Sequence, residues 1–174
     1  PRTVGEMGGL EHISWVVTSY LLASTASTPI YGKLGDLRGR KAMFQAAILI
    51  FIVGSVAAAL ATTLFGLILA RGLEGVGVGG LLGTALPIIG NVLSPGEGDR
   101  YQGNIGGVFA FASVAGPVMG GFFVDHLTWR WVFWINLPLG LLALVVTAAV
   151  LHLPRSKRAH TIDWIGAAVL VAAV

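Results

Sequence analysis

The sequence predicts an all-α, polytopic transmembrane bundle, a set of lipid-spanning helices, and three observations predict it. Of 174 residues 55% are hydrophobic and only 11% carry charge, where soluble domains run near a quarter charged. The charges fall in short clusters separated by apolar stretches of bilayer length. The basic residues gather in alternate loops, as the positive-inside rule requires.

The first uncharged stretch runs from Ile13 to Gly32, enough for one span. Lys33 to Lys41 then holds Lys33, Arg38, Arg40 and Lys41 with one acid, Asp36, and reads as a loop. From Ala42 to Gly96 only Arg71 and Glu74 are charged. That length suits two helices, with a turn at Ala61-Thr62-Thr63. Breaker residues at 94–100 end the second of them. Tyr101 to Val124 is a fourth span, Asp125 to Arg130 a polar turn, and Trp131 to Leu151 a fifth span. Residues 1–153 are thus expected to form part of a helical bundle, 154–163 a basic cytoplasmic linker, and 164–174 the start of a truncated further helix. The chain reads as an excerpt from a longer protein.

The loops at 33–41, 94–100 and 154–163 carry the basic residues and are expected in the cytoplasm. The turns at 61–63 and 125–130 face outward, with Trp15, Trp129, Trp131 and Trp134 as an outer aromatic belt and Trp164 at the inner interface. No loop is long enough for a soluble catalytic domain, so function lies between helices. The four histidines form no ligand or triad spacing, and there is no cysteine for thiol chemistry or thiolate metal binding. No enzyme, metal site or nucleic-acid partner is expected; the basic balance serves membrane orientation.

Gly75, Gly79 and Gly83 recur every four residues on one face of the third span, and Gly103, Gly107, Gly116 and Gly120 repeat small residues along the fourth. Such faces let membrane helices approach closely. The GxGxxG match from Gly75 to Gly80 follows no strand and is coincidental. Pro117 lies deep in the fourth span, where it removes a backbone donor and is expected to bend the helix near Ser113. It reads either as helix shape or as a bend that a transporter rocks against.

Arg71 and Glu74 stand out most. A charge at mid-span costs roughly 2.5–3.5 kcal/mol on insertion scales. Counted from Leu64, Arg71 lies about 10 Å and Glu74 about 15 Å into the bilayer, and their three-residue spacing lets them pair. The pair is either a buried structural bridge or a cavity-facing site whose carboxylate takes and releases a proton beside a guanidinium.

Gly32-Lys33-Leu34-Gly35-Asp36-Leu37-Arg38-Gly39-Arg40-Lys41 resembles the loop between the second and third helices of the major facilitator superfamily. The run from Leu69 through Arg71 to Gly77 resembles that superfamily's fourth-helix motif. Gly107 onward, through Gly116-Pro117 to Gly120-Gly121, resembles the fifth-helix motif of its antiporters. Trp129 to Pro138 and Ile162 to Gly166 resemble the fourteen-helix drug:proton antiporter branch. The resemblance implies a major-facilitator bundle in the cell membrane, a small organic substrate, and a proton gradient as energy source with no cofactor. It implies partnership with protons, the lipid bilayer and the remainder of the same transporter. It assigns Asp36 and Arg40 to a cytoplasmic latch, with Gly32, Gly35, Gly39 and Lys41 in the same motif. It gives Arg71 to proton coupling, and Gly116, Pro117, Gly120 and Gly121 to the antiporter bend. Position 37 is Leu where a basic residue is usual, and position 74 is Glu where Gln is usual. A uniporter or importer of the same fold, and a membrane fragment that does not transport, remain as alternative readings.

Overall fold

The computed structural model describes residues 13–92 and 98–151. They form six helices and, among the described residues, no strand: α1 Ile13–Arg38, α2 Arg40–Leu60, α3 Leu64–Val92, α4 Gly98–His126, α5 Trp131–Trp134 and α6 Asn136–Val150. The turn at 61–63 lies where the sequence places it. Residues 1–12, 93–97 and 152–174 lie outside the described residues, and with them most of the expected 94–100 loop, the basic linker, Trp164 and the truncated helix.

The expected loop at 33–41 is corrected. α1 continues through it to Arg38, and the chain turns at the single residue Gly39 (φ 100°). Glycine alone carries no steric penalty for such a φ, so the reversal needs one residue rather than nine. The 125–130 segment is likewise shorter than expected, because α4 runs on to His126. α5 and α6 are nearly one rod: Ile135, between them, keeps helical dihedrals (φ −64°, ψ −26°). Pro138 explains the interruption, since it lacks the N–H that would bond the carbonyl of Trp134, and its ring crowds that carbonyl.

Four stretches among the described residues are long and apolar enough to cross a membrane: Arg40–Leu60, Leu64–Gly90, Gly103–His126 and Trp131–Val150. α1, which covers the first expected span, is not among them. Its 26 residues give it about 39 Å of length, but six serines and threonines between Thr18 and Thr28 reduce its hydropathy. Five of those hydroxyls bond backbone carbonyls. Ser24 and Thr25 bond Leu21 (3.0 and 2.9 Å), and Thr28 bonds Ser24 (2.7 Å). Ser19 reaches across to Ile68 at 3.1 Å, and Ser27 to Val76 at 3.4 Å. Each of these five is therefore satisfied without water, which is what lipid demands of polar groups.

The core sits where α1, α2 and α3 meet. A Cβ added at Gly75 would strike the carbonyl of Tyr20, at Gly79 that of Ser24, and at Gly83 that of Thr28. The contacts step by four residues on both helices and in the same direction, so α1 and α3 run parallel with their backbones nearly touching. The opposite face of α3 meets α2: a Cβ at Gly77 would lie 2.5 Å from the Phe51 nitrogen, and one at Gly80 2.6 Å from the Ala47 Cβ. Numbers on α2 fall as those on α3 rise, so this pair is antiparallel. Gly140 brings α6 against Ile52 of α2 in the same way.

The fourth helix behaves differently from the expectation. A Cβ added at Gly103, Gly107, Gly116, Gly120 or Gly121 would meet nothing within 4 Å, and the span Gly103–His126 has no buried residue. Its small residues are not packed against any described helix. α4 runs unbroken through Pro117 and touches the bundle near its end, where Val124 joins Phe133 and Val16 around Ala58, Ala61, Leu67, Ala70 and Trp129. Trp129 is therefore corrected as well. It is 7% exposed and plugs this end of the bundle, with Arg130 stacked 4.5 Å from its ring centroid and bonding the Ala61 carbonyl at 3.0 Å. Trp15 and Trp131 stay exposed, as an interfacial belt would hold them.

Candidate functional site

The charged pair inside α3 lies at the centre of the packing just described. Arg71 and Glu74 form an ion pair, Nη1 to Oε2 at 2.5 Å. Helical spacing of three brings the two side chains onto neighbouring faces, and the rest of the site arrives from four other helices. Ser55 of α2 donates its hydroxyl to Glu74 Oε1 at 2.6 Å. Asn136, the first residue of α6, donates Nδ2 to the same oxygen at 3.2 Å and to Ser55 Oγ at 3.1 Å. From α1 the Tyr20 ring lies under the Arg71 guanidinium at 4.1 Å, and Phe133 of α5 lies 5.8 Å away on another side. Gly54 makes the arrangement possible: a Cβ there would sit 2.5 Å from the Glu74 nitrogen, so only glycine lets α2 carry Ser55 within reach.

The pairing expected from the sequence is present, but the open outlook expected for Glu74 is not. Glu74 is 1% exposed and faces a packed junction of helices rather than a hydrated space. Arg71 keeps about a fifth of its side chain exposed, 21% against 2% for Glu74. A carboxylate taken out of water needs compensation of several kcal/mol. Here it receives one charge-assisted bond and two neutral ones, and no buried side-chain nitrogen or oxygen among the described residues lacks a partner. Ser55 and Asn136 were not legible as site residues. Ser55 shows only as an isolated polar group in an apolar run, Asn136 lies within the Trp129–Pro138 run that carries the resemblance, and nothing in the spacing says that they meet.

The glycine-rich segment at 32–41 forms a second polar junction. Asp36 accepts from Arg40 Nη2 at 2.8 Å and from Nε at 3.1 Å, so it holds Arg40 rather than capping α2, whose N-cap Gly39 has no side-chain cap bond. Arg40 Nη1 also bonds the Pro87 carbonyl of α3 at 2.8 Å. Lys41 bonds the Ala148 carbonyl in the last turn of α6 at 2.9 Å, where the helix end favours a cation. Gly35 is buried beside Arg40 and Thr84, and Gly32 faces the Gly83 carbonyl. One short segment thus ties α1, α2, α3 and α6 together at the end opposite Trp129. Gly107, Gly116, Pro117, Gly120 and Gly121 join neither junction; they remain on α4, apart from both.

Comparison with known proteins places the chain among transporters. A family profile described as Major Facilitator Superfamily matches residues 5–173. The chain is 41% identical over 148 residues to the multidrug transporter protein MdtP of Bacillus subtilis, covering 85% of this chain and 27% of that protein. It is 37% identical to Multidrug resistance protein 3 of the same species, covering 98% of this chain and 33% of that protein. It is 44% identical to the efflux pump dotC of Dothistroma septosporum over 88% of this chain and 27% of that protein. The chain spans about a quarter to a third of the length of these relatives.

Proposed function

This chain belongs to the major facilitator superfamily, and on that premise we propose that the protein of which it is part exports small organic compounds across the cell membrane in exchange for protons. It is a multi-pass membrane protein of a transporter family. The names of its relatives, multidrug transporter and efflux pump, support drug-like substrates. The observation that supports proton exchange is the Arg71–Glu74 pair, a carboxylate buried at the meeting point of α2, α3 and α6.

The pair can couple charge to shape. With Glu74 ionised, its Oε2 holds Arg71 and its Oε1 holds α2 and α6 through Ser55 and Asn136. A proton on Glu74 cancels the ion pair and leaves Arg71 to the Tyr20 and Phe133 rings. Three helix contacts then change strength together, which biases one arrangement of helices over another. The partly exposed Arg71 stands between this junction and the substrate cavity, which the remainder of the transporter completes. In this reading the energy source is the proton gradient and no cofactor takes part. Asp36, Arg40 and the surrounding Gly32, Gly35, Gly39 and Lys41 stabilise the cytoplasmic end, and the Gly116-Pro117 and Gly120-Gly121 pairs of α4 meet parts of the transporter beyond this chain.

Glu74→Gln in the intact transporter tests the coupling. Losing a hydrogen-bonded charge worth about 1.5–3 kcal/mol should reduce efflux driven by a pH gradient roughly tenfold or more, read with a fluorescent organic cation in inverted membrane vesicles. Unchanged dependence of efflux on the gradient would remove Glu74 from the coupling step.

A further inference from the structure

The partners of Glu74 are unequal in what they can do. The Arg71 guanidinium only donates, and Asn136 presents its amide nitrogen, also a donor. The Ser55 hydroxyl alone both donates and accepts. An ionised Glu74 is served by all three, whereas a protonated one has an O–H of its own that needs an acceptor in a place without water. Ser55 is 0% exposed and its oxygen lies 2.6 Å from Oε1. We propose that Ser55 is the hydrogen-bond switch that allows the buried Glu74 side chain to exist in both protonation states.

The step moves one proton and no heavy atom. A proton adds to Oε1, forming one O–H bond, and that O–H donates to Ser55 Oγ. Ser55 keeps its own proton and turns it toward the carbonyl four residues back on α2, that of Phe51, an acceptor within the ordinary reach of a helical serine. Turning the Asn136 amide instead would break its bonds to Glu74 and to Ser55 together, so the hydroxyl rotation disturbs less. Among the described residues, the charged and titratable groups facing Glu74 are Arg71 on its own helix and the Tyr20 phenol on α1. α2 and α6 offer Ser55 and Asn136, which do not titrate. The inference rests on the reading of Glu74 as a group that gains and loses a proton during transport.

The test is infrared spectroscopy of the intact transporter in lipid bilayers, titrated with pH. The carboxylic C=O stretch of Glu74 is identified by its loss in Glu74→Gln. In Ser55→Ala the protonated form loses the hydroxyl that accepts from it, and the ionised form loses one of its three donors but keeps Arg71 and Asn136. The band should move to higher frequency, because the acid's O–H has lost the oxygen that accepted from it. Asn136→Ala removes a donor to the ionised form and leaves the acceptor of the protonated one, so the band should stay near its parent frequency. Ser55→Thr, which keeps the hydroxyl, should return the band toward the parent frequency. An unmoved band in Ser55→Ala, a band that moves as far in Asn136→Ala as in Ser55→Ala, or a Glu74 that shows no titrating band, each overturns the proposal. Efflux measured on the same variants separates the two readings: if Glu74→Gln transports with full proton dependence while Ser55→Ala shifts the band, the switch stands and the coupling role falls.

Discussion

At Gly54 the backbones of α2 and α3 come closer than any side chain allows, with a Cβ there only 2.5 Å from the Glu74 nitrogen and 2.7 Å from its Cα. The obstacle is backbone, which cannot rotate aside. Gly54→Ala should therefore push the helices apart and cost about 1–3 kcal/mol, as overpacking of a tight contact does, seen as a lower unfolding temperature of the intact protein in detergent. Gly72→Ala supplies the contrast, because a Cβ there meets nothing within 4 Å; alanine's better helix propensity should leave stability equal or slightly raised. Equal losses for the two would mean that Gly54 is not the close contact described. The sequence distinguished neither glycine from the other, since both lie in apolar helical runs. What it did show was the ionisable pair beside them, because charge inside hydrocarbon is rare whatever the packing. The neighbours of that pair, Ser55 and Asn136, come from positions 19 and 62 residues away from Glu74 in the chain, and no local pattern brings such positions together.

Between elements, the order and ends of the helices were legible because charge clusters and breakers mark them, as Leu64 shows by opening α3 directly after the predicted turn. The 33–41 loop was misread for a physical reason. Basic residues and glycines are compatible with the last turns of a helix, where cations meet the free carbonyl end, and only Gly39 adopts a backbone that a helix forbids. Gly39→Ala should thus strain the turn by roughly 1–3 kcal/mol, and it should weaken the Arg40 bonds to Asp36 and Pro87 that the turn positions. Gly35→Ala tests the same junction by space rather than by angle, its Cβ meeting Arg40 and Thr84 at ordinary contact of 3.4 and 3.5 Å. The expected order of stability is parent, then Gly35→Ala, then Gly39→Ala, measured by thermal unfolding; a Gly39→Ala variant as stable as the parent contradicts the turn. The parallel ladder between α1 and α3 was half legible: the glycines of α3 were apparent, while Tyr20, Ser24 and Thr28 across from them gave no sign, because their contribution is backbone carbonyl and not side-chain type.

For the molecule as a whole, the packing and the charge distribution make one topological claim. α1 and α3 run parallel and α2 antiparallel to both, so Gly39 and the 61–63 turn lie at opposite ends of the bundle. The basic cluster of Arg38, Arg40 and Lys41 gathers at the Gly39 end, with Lys41 on the last turn of α6, and Trp129 and Arg130 close the other. Positive-inside asymmetry then predicts that the Gly39 end faces the cytoplasm. The chain has no cysteine, which makes single introduced thiols clean reporters in an intact protein freed of any others. Arg38 and Thr62 are both exposed and lie at opposite ends, so replacing either by cysteine leaves the interior contacts untouched. A membrane-impermeant maleimide should label Thr62→Cys in whole cells and should label Arg38→Cys only once the membrane is opened. The reverse pattern would invert the bundle, and labelling of both from one side would deny that α2 crosses the bilayer, leaving Glu74 with no membrane-depth position from which to couple protons to transport.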